Sequence, residues 1–420
     1  MSSHELAGRR VLVVGLARSG KAAAEVLVDE GASVVGVDRD ETLDVGRLRE
    51  LGVEIHLGRE EERLLQGIDL VVKSPGVPGE TMLVQGARER AVPIWSEIEL
   101  GARMLPNPIL GVTGTNGKTT TSELLGAVFR TAGKPVEVAG NVGRPLTSLV
   151  GSASADAWIV CELSSFQLED IEAFNPRIGV LLNLEPDHLD RHGTFDAYAD
   201  IKLRVFERQA AEDVAVLPRG FGAVPGAGRR AEFAADDELP AEPRIPGPHN
   251  RENAAAATVA ARAAGIEDTA IAAALRTFPG VPHRIELIRE LGGVRYVNDS
   301  KATNVAAALR ALASFPESRL HVILGGRGKQ ESYAPLAAAF KPGDRGYVIG
   351  EAADEIAGSL ADAAVPYVRT ETLDEALGAA ASAAAPEDVV LLSPACASFD
   401  QFRDFEARGD AFRVLVEELP

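Results

Sequence analysis

The run Arg10-Val-Leu-Val-Val14 is apolar, rich in β-branched residues and stopped by Gly15, and Ser19 to Asp29 then places apolar side chains at helical spacing. Ser33-Val-Val-Gly-Val37, ending at Asp38, Val53-Glu-Ile-His56 and Leu70-Val-Val72 read as further short strands. Alternation of strand and helix predicts a parallel sheet wound with helices. After Leu105-Pro-Asn-Pro108 a second run opens with the strand Ile109-Leu-Gly-Val-Thr113 and the helix Ser122 to Arg130. Strands at Trp158-Ile-Val-Cys161 and Gly179 to Leu182 and a helix over Asp196 to Phe206 continue it. Between Pro218 and Pro248 Gly, Pro, Ala and charge accumulate without periodicity, which predicts a loosely ordered excursion before an Ala-rich helix over Asn250 to Ala264. Phe278-Pro-Gly-Val-Pro282 is the next punctuation. Beyond it His321 to Leu324, Gly346 to Ile349 and Val389 to Leu392 alternate with helical stretches such as Ala352 to Ala364 and Ala376 to Ala385. The expectation is an α/β chain of three domains, residues 1–96, 97–281 and 282–420.

Composition narrows what such a chain can do. At 420 residues and 46% hydrophobic, each domain can fill a core, so disorder is excluded. Lys plus Arg total 43 against 62 Asp plus Glu, a net charge of −19, which repels a phosphate backbone and argues against a nucleic-acid partner. Cys161 and Cys396 lie far apart, with no metal-ligand spacing and no disulfide framework, which fits a reducing cytoplasm. No apolar stretch approaches the roughly 18 residues of a membrane span. An acidic chain that binds acidic substrates must gather its cations into pockets.

Gly114-Thr-Asn-Gly117-Lys118-Thr119-Thr120 stands between a predicted strand and a predicted helix. Its glycines let backbone N–H groups close around phosphate, the helix N-terminus adds its dipole, Lys118 reaches the β/γ oxygens, and a Thr hydroxyl can ligate Mg²⁺. The general phosphate-loop pattern wants glycine where this chain has Val112. Gly15-Leu-Ala-Arg-Ser-Gly20, with Asp38 at the end of the next strand, has Ala17 in place of the middle glycine of a dinucleotide fingerprint. A uridine nucleotide, a nicotinamide cofactor and a structural turn all remain open there. Glu162, in Glu162-Leu-Ser-Ser-Phe-Gln-Leu168, falls at a strand's C-terminal end, and its carboxylate suits Mg²⁺. Asp187-His-Leu-Asp-Arg-His192 is either a titratable cluster at the same edge or a solvated loop, and spacing alone leaves Lys202 a surface lysine.

These motifs, with Gly140-Asn-Val-Gly143, His249-Asn250 and Asn253, His283-Arg284 and Asn298-Asp-Ser-Lys-Ala-Thr-Asn304, resemble the ordered signature set of the Mur ligases over nearly the whole chain. Ser74-Pro-Gly76 and Leu391-Leu-Ser-Pro-Ala-Cys-Ala-Ser-Phe-Asp-Gln-Phe402 are similar to the branch that adds D-glutamate. The diaminopimelate motif Asp-Asn-Pro-Arg is absent from the last domain, and its look-alike Phe174-Asn-Pro-Arg177 lies in the central one.

The resemblance implies an N-terminal Rossmann-like domain for a uridine nucleotide, a central P-loop ATPase and a Rossmann-like C-terminal domain. It implies ATP-dependent ligation of D-glutamate to UDP-N-acetylmuramoyl-L-alanine through an acyl phosphate, by a cytoplasmic monomer. Its rivals are another amino-acid ligase of the family and a nucleotide-binding protein without turnover. By the same resemblance Gly114 to Thr120 cradle ATP, while Thr119, Glu162, His188 and Lys202 serve Mg²⁺ at two positions, Lys202 as a carbamate. Asn250 and Asn253 would address adenine, Asp299 the ribose, and Arg284 and Lys301 the transferring phosphoryl group. Arg18, Ser19, Asp38, Ser74, Gly76 and Asn141 would hold the uridine substrate, and Thr303, Lys329, Ser398, Phe399 and Phe405 the amino acid. Arg327 stands where relatives often carry an acidic residue.

Overall fold

The computed structural model describes residues 6–329 and 331–420, with the side chain of Asp190 left out. The chain divides into two compact units, residues 1–242 with 252–276, and residues 243–251 with 277–420.

The first unit holds two parallel sheets. Strands β1 (Arg10–Val14), β2 (Ser33–Asp38), β3 (Glu54–Leu57), β4 (Leu70–Lys73) and β5 (Ile94–Ser96) assemble in the order β3-β2-β1-β4-β5. Strands β6 (Ile109–Thr113), β7 (Val136–Gly140), β8 (Trp158–Glu162), β9 (Ile178–Leu181), β10 (Val214–Pro218) and β11 (Arg229–Phe233) follow the order β11-β10-β9-β6-β8-β7. Interior strands are covered on both faces, so β6 is buried at every position and β1 at all but its first. In each sheet the chain leaves β1 or β6 in one direction and later returns to its other side. The crevice at the carboxyl ends beside those strands is where open α/β sheets take ligands.

The second unit carries β12 (Glu286–Leu291), β13 (Val294–Asn298), β14 (Leu320–Gly325), β15 (Arg345–Ile349), β16 (Tyr367–Arg369) and β17 (Val389–Leu392), ordered β12-β13-β17-β14-β15-β16. All pairs are parallel except β12 with β13, which close through Gly292 and Gly293 at φ 61° and 80°. Two consecutive positive φ angles are what a tight hairpin turn demands.

Two expectations are corrected. The segment from Pro218 to Pro248 contains β11, Arg-Arg-Ala-Glu-Phe, parallel to β10 from Val214↔Arg229 to Pro218↔Phe233. As an edge strand it buries only Phe233, so it offers no apolar run to read. The helix expected to reach Phe206 ends at Leu203 and tightens into a 3₁₀ turn over Arg204–Phe206.

The helix Glu97–Met104 joins the two sheets of the first unit. Glu99, fully buried, accepts the backbone N–H groups of Glu172, Ala173 and Phe174 at 2.8–2.9 Å. Glu97 accepts from the backbone N–H and hydroxyl of Thr147. Burial raises the Glu97 carboxyl to about 7.

Candidate active site

The phosphate loop connects β6 to the helix Lys118–Thr131. Gly114 and Gly117 have φ of 148° and 82°, and a Cβ at Gly117 would meet Asn253 Oδ1 at 2.2 Å. Glycine is required there because Asn253, buried on the helix Pro248–Ala263, abuts the loop. Thr115 Oγ1 lies 3.0 Å from the Tyr198 hydroxyl, Asn116 N donates to Asn183 Oδ1 at 2.8 Å, and Asn116 Nδ2 to Glu185 Oε2 at 2.8 Å. Thr119 and Thr120 are buried in the first helical turn.

Two ammonium groups converge on this loop. Lys118 Nζ donates to Gly114 O at 2.9 Å and to Thr115 O at 2.8 Å, and Lys202 Nζ donates to the same Gly114 O at 2.8 Å. Lys202 is 2% exposed, so it is not the surface lysine of its spacing. Its Nζ lies 4.9 Å from the Tyr198 ring centre. Burial first, then the charge of Lys118, lower its pKa to about 7, against the pull of Asp187 and Glu162.

Glu162, buried at the end of β8, takes a hydrogen bond from Asn141 Nδ2 at 3.0 Å, and its carbonyl accepts Asn141 N at 2.9 Å. The Glu162 carboxylate and the Thr119 hydroxyl are oxygen donors of the kind that fit Mg²⁺. Among the described residues no three His, Cys, Asp or Glu gather as a preformed metal cage. His188 sits at φ 51°, half-exposed, its ring 4.8 Å from that of Phe166, and opens the helical turn Leu189–His192.

In the N-terminal sheet Arg18, Ser19, Asp38, Ser74 and Gly76 all line one cleft of about 390 Å³ at the carboxyl ends of the strands. Asp38 braces the turn after β1 by accepting Leu16 N at 2.6 Å, and Ser74 Oγ donates to Gly15 O at 2.8 Å. A Cβ at Gly20 would meet Gly15 O at 1.7 Å. Arg18 reaches across to Gly143 O at 2.9 Å, two residues beyond Asn141.

In the second unit Arg284 lies between two non-glycine residues with positive φ, His283 at 62° and Ile285 at 45°. A β-branched residue there is strained and persists only where neighbours hold it. Asp299 does so by accepting Ile285 N at 3.2 Å, and Lys301 N donates to His283 O at 3.0 Å. Burial raises the Asp299 carboxyl to about 7, opposed by the Ser393 hydroxyl, which donates to it at 2.8 Å, and by Arg284. Asn250 is buried and donates to Pro246 O at 2.6 Å.

Lys329 Nζ donates to Thr303 Oγ1 at 3.2 Å, so the structure brings together two residues expected at the amino acid. The segment after β14 clasps the one after β17 through Arg327 N to Ala397 O and Ala397 N to Arg327 O, next to buried Ser398 and exposed Phe399. Arg327 pairs with Glu351 at 3.0 Å. Lys301 Nζ stands 5.9 Å from the ring of Phe405.

Sequence reasoning missed Tyr198 and Arg408. Arg408 is 1% exposed and donates to Ser300 Oγ, Ser300 O and Cys396 O at 2.9–3.1 Å, tying together loops after β13 and β17. Its signal was an arginine on the apolar face of the helix Phe405–Glu417, in step with Phe412 and Val416. Tyr198 carried no such signal.

Comparison with known proteins agrees with this arrangement. Residues 9–96 match the Mur ligase MurD-like N-terminal domain, 112–221 the Mur ligase middle domain, and 283–396 the Mur ligase glutamate ligase domain. The UDP-N-acetylmuramoylalanine–D-glutamate ligase of Acidobacterium capsulatum is 43% identical, covering 98% of this chain and 97% of its own. Those of Solibacter usitatus and Anaeromyxobacter dehalogenans are 44% and 45% identical, covering 99% and 100% of this chain and 99% of each relative. Among solved structures, the UDP-N-acetylmuramate-alanine ligase of Thermotoga maritima shares the fold at a TM-score of 0.59 and 21% identity, covering 97% of this chain and 99% of that one. With all three domains matched in order and identity above 40% along nearly the full length, the chain belongs to the Mur ligase family.

Proposed function

We propose that this protein is an ATP-dependent amide ligase that adds D-glutamate to UDP-N-acetylmuramoyl-L-alanine in peptidoglycan precursor synthesis. The observation that carries the reading is the meeting of Lys118 and Lys202 on one phosphate-loop carbonyl in unit one, in a chain so close to ligases of that name. The alanyl carboxylate takes the γ-phosphoryl group of ATP, the amine of D-glutamate attacks the acyl phosphate, and collapse of the tetrahedral intermediate releases phosphate.

Each residue has a part. Lys118 exchanges its loop carbonyls for β/γ oxygens, and the backbone N–H groups of Gly114 to Thr120 surround the phosphates. Thr119 and Glu162 are assigned to one Mg²⁺, His188 and Lys202 to a second; bound there, the ions neutralise phosphate charge. A Lys202 amine with a pKa near 7 is about half uncharged at neutral pH, and the uncharged form is the one whose nitrogen bonds CO₂ and loses a proton to give a carbamate. Asn250 and Asn253 address adenine, Asp299 the ribose, and Arg284 and Lys301 the spreading charge of the phosphoryl group. Arg18, Ser19, Asp38, Ser74, Gly76 and Asn141 are assigned to the uridine substrate. Lys329 and Thr303 are assigned to one carboxylate of D-glutamate, and Ser398 with backbone N–H groups near Phe405 to the other, Phe399 flanking them.

The domain division 1–96, 97–281 and 282–420 is supported by three sheets that each stay within one range. We assign the protein to the cytoplasm as a monomer; two buried unpaired cysteines support a reducing compartment, and among the described residues no helix is long and apolar enough to cross a membrane.

The test is phosphate release with ATP, Mg²⁺, UDP-N-acetylmuramoyl-L-alanine and a panel of amino acids. D-Glutamate is expected to be fastest. Faster release with L-lysine, diaminopimelate or L-alanine overturns the amino-acid assignment, and the absence of acyl phosphate in a single turnover overturns the ligase reading.

A further inference from the structure

Within the N-terminal cleft one carboxylate oxygen has no use in the protein. Glu60 lines the cleft with its side chain 9% exposed, and its Oε2 is buried without a hydrogen-bond partner among the described residues. Its other oxygen accepts Arg39 Nε at 2.9 Å, and Arg39, which also lines the cleft, is 64% exposed. Burying an ionised carboxylate oxygen with nothing to satisfy it is costly, so a ligand donor is the natural occupant.

The sheet orders the cleft from one end to the other. Arg18 and Ser19 open a twelve-residue helix after β1, where N–H groups and the dipole suit a diphosphate. Asp38 ends β2. Gly58 N donates to Asp38 O at 2.9 Å, which sets the segment after β3, with Glu60, beside it. Two strand spacings make about 10 Å from the turn after β1 to the segment after β3, the reach from a diphosphate across a ribose to its base.

We infer that Glu60, with Arg39, reads the base of the uridine substrate, Glu60 Oε2 accepting uracil N3–H and the Arg39 guanidinium donating to a flanking carbonyl. The inference rests on the uridine reading of this cleft. Uracil presents a donor between two acceptors, complementary to this acceptor and donor side by side. Cytosine presents a bare N3 acceptor, which would face the carboxylate acceptor to acceptor and leave both buried without a proton between them. Glu60 is thereby a specificity residue and has no part in the chemistry.

The experiment is calorimetric titration of the full-length protein with UDP, CDP and 3-methyl-UDP, for wild type, Glu60→Gln and Arg39→Met, with ADP as control and a thermal melt of each variant. Wild type is expected to prefer UDP to CDP and to 3-methyl-UDP by about tenfold or more. In Glu60→Gln the amide can turn either its oxygen or its NH₂ toward the base, so the UDP-to-CDP preference falls to about threefold or less while ADP affinity is unchanged. Arg39→Met leaves Glu60 in place and weakens UDP by about fivefold. A Glu60→Gln protein that keeps the wild-type preference overturns the inference. If that variant does not fold, an Arg39→Met protein binding UDP as tightly as wild type overturns it instead. A wild type that binds UDP and CDP alike removes the base reader while the uridine reading stands; one that binds neither, and shows no turnover with the uridine substrate, removes both.

Discussion

Lys73 Nζ donates to Glu169 Oε2 at 2.8 Å, across 96 positions of sequence, joining the end of β4 to the segment that follows the Glu162 motif. Lys73 is fully buried and also meets Asp170 at 2.7 Å, while Arg191 holds Glu169 from the other side and donates to Val77 O at 3.1 Å. The wall of the N-terminal cleft and the loop bearing His188 and His192 therefore share one charge cluster. Lys73→Met leaves two carboxylates short of a cation inside the protein. It is expected to cost about 3 kcal/mol, the lower end for a broken buried pair, because Arg191 remains. Urea melts that differ from wild type by under about 1 kcal/mol would show the pair to be dispensable.

Lys118→Ala removes charge only at the phosphate cradle, and it should abolish nearly all turnover while the uridine substrate still binds. The check is phosphate release beside calorimetry. Turnover above about a tenth of wild type is incompatible with the role assigned to the loop.

Lys202→Ala is expected to lose activity that short carboxylates partly restore, and Lys202→Arg to fail, since guanidinium takes up no CO₂. Carbon-13 bicarbonate should give a carbamate resonance in wild type alone. Because protonation of an amine with a pKa near 7 competes with carbamate formation, the signal and the activity should fall together as pH drops below 7. A variant with full activity and no added carboxylate contradicts this.

Glu97 supplies a stability test. Its carboxyl is raised from 4.5 to about 7 in the folded protein, so between those values the native state holds a proton that the unfolded chain has released. Stability must fall as pH rises through that window and level off above it. Glu97→Gln lacks this term, and relative to wild type it should gain about 3 kcal/mol between pH 4 and pH 8. A difference independent of pH rules out a buried proton at Glu97.

Lys329→Ala should raise KM for D-glutamate by about tenfold, the weight of one charge-assisted contact, with a smaller change in kcat. Initial rates at varied D-glutamate check it. An unchanged KM moves the carboxylate contact elsewhere in the second unit.

The sequence by itself determined the phosphate loop, the order of the motifs and the interior strands except β10 and β13, which were not read. Apolar runs such as Val11 to Val14 and Ile109 to Val112 are legible because a strand covered on both faces must be apolar throughout, and Gly117 because a loop closed on phosphate needs a positive φ. Edge strands other than β3 left little trace. β11 buries one side chain of five, and β12 alternates weakly, so neither has a run to read. What only the tertiary structure decided is the setting of the charged groups. Lys202 reads as a solvated lysine until the helix Phe195–Leu203 packs it under Gly114, where loss of water brings its amine to near-neutral pKa. Lys73 finds Glu169, and Arg408 the carbonyls of Ser300 and Cys396, at separations that no local pattern encodes. Hydrophobic periodicity reports which face of an element is covered; the pairing and desolvation of a charge depend on which distant segment covers it.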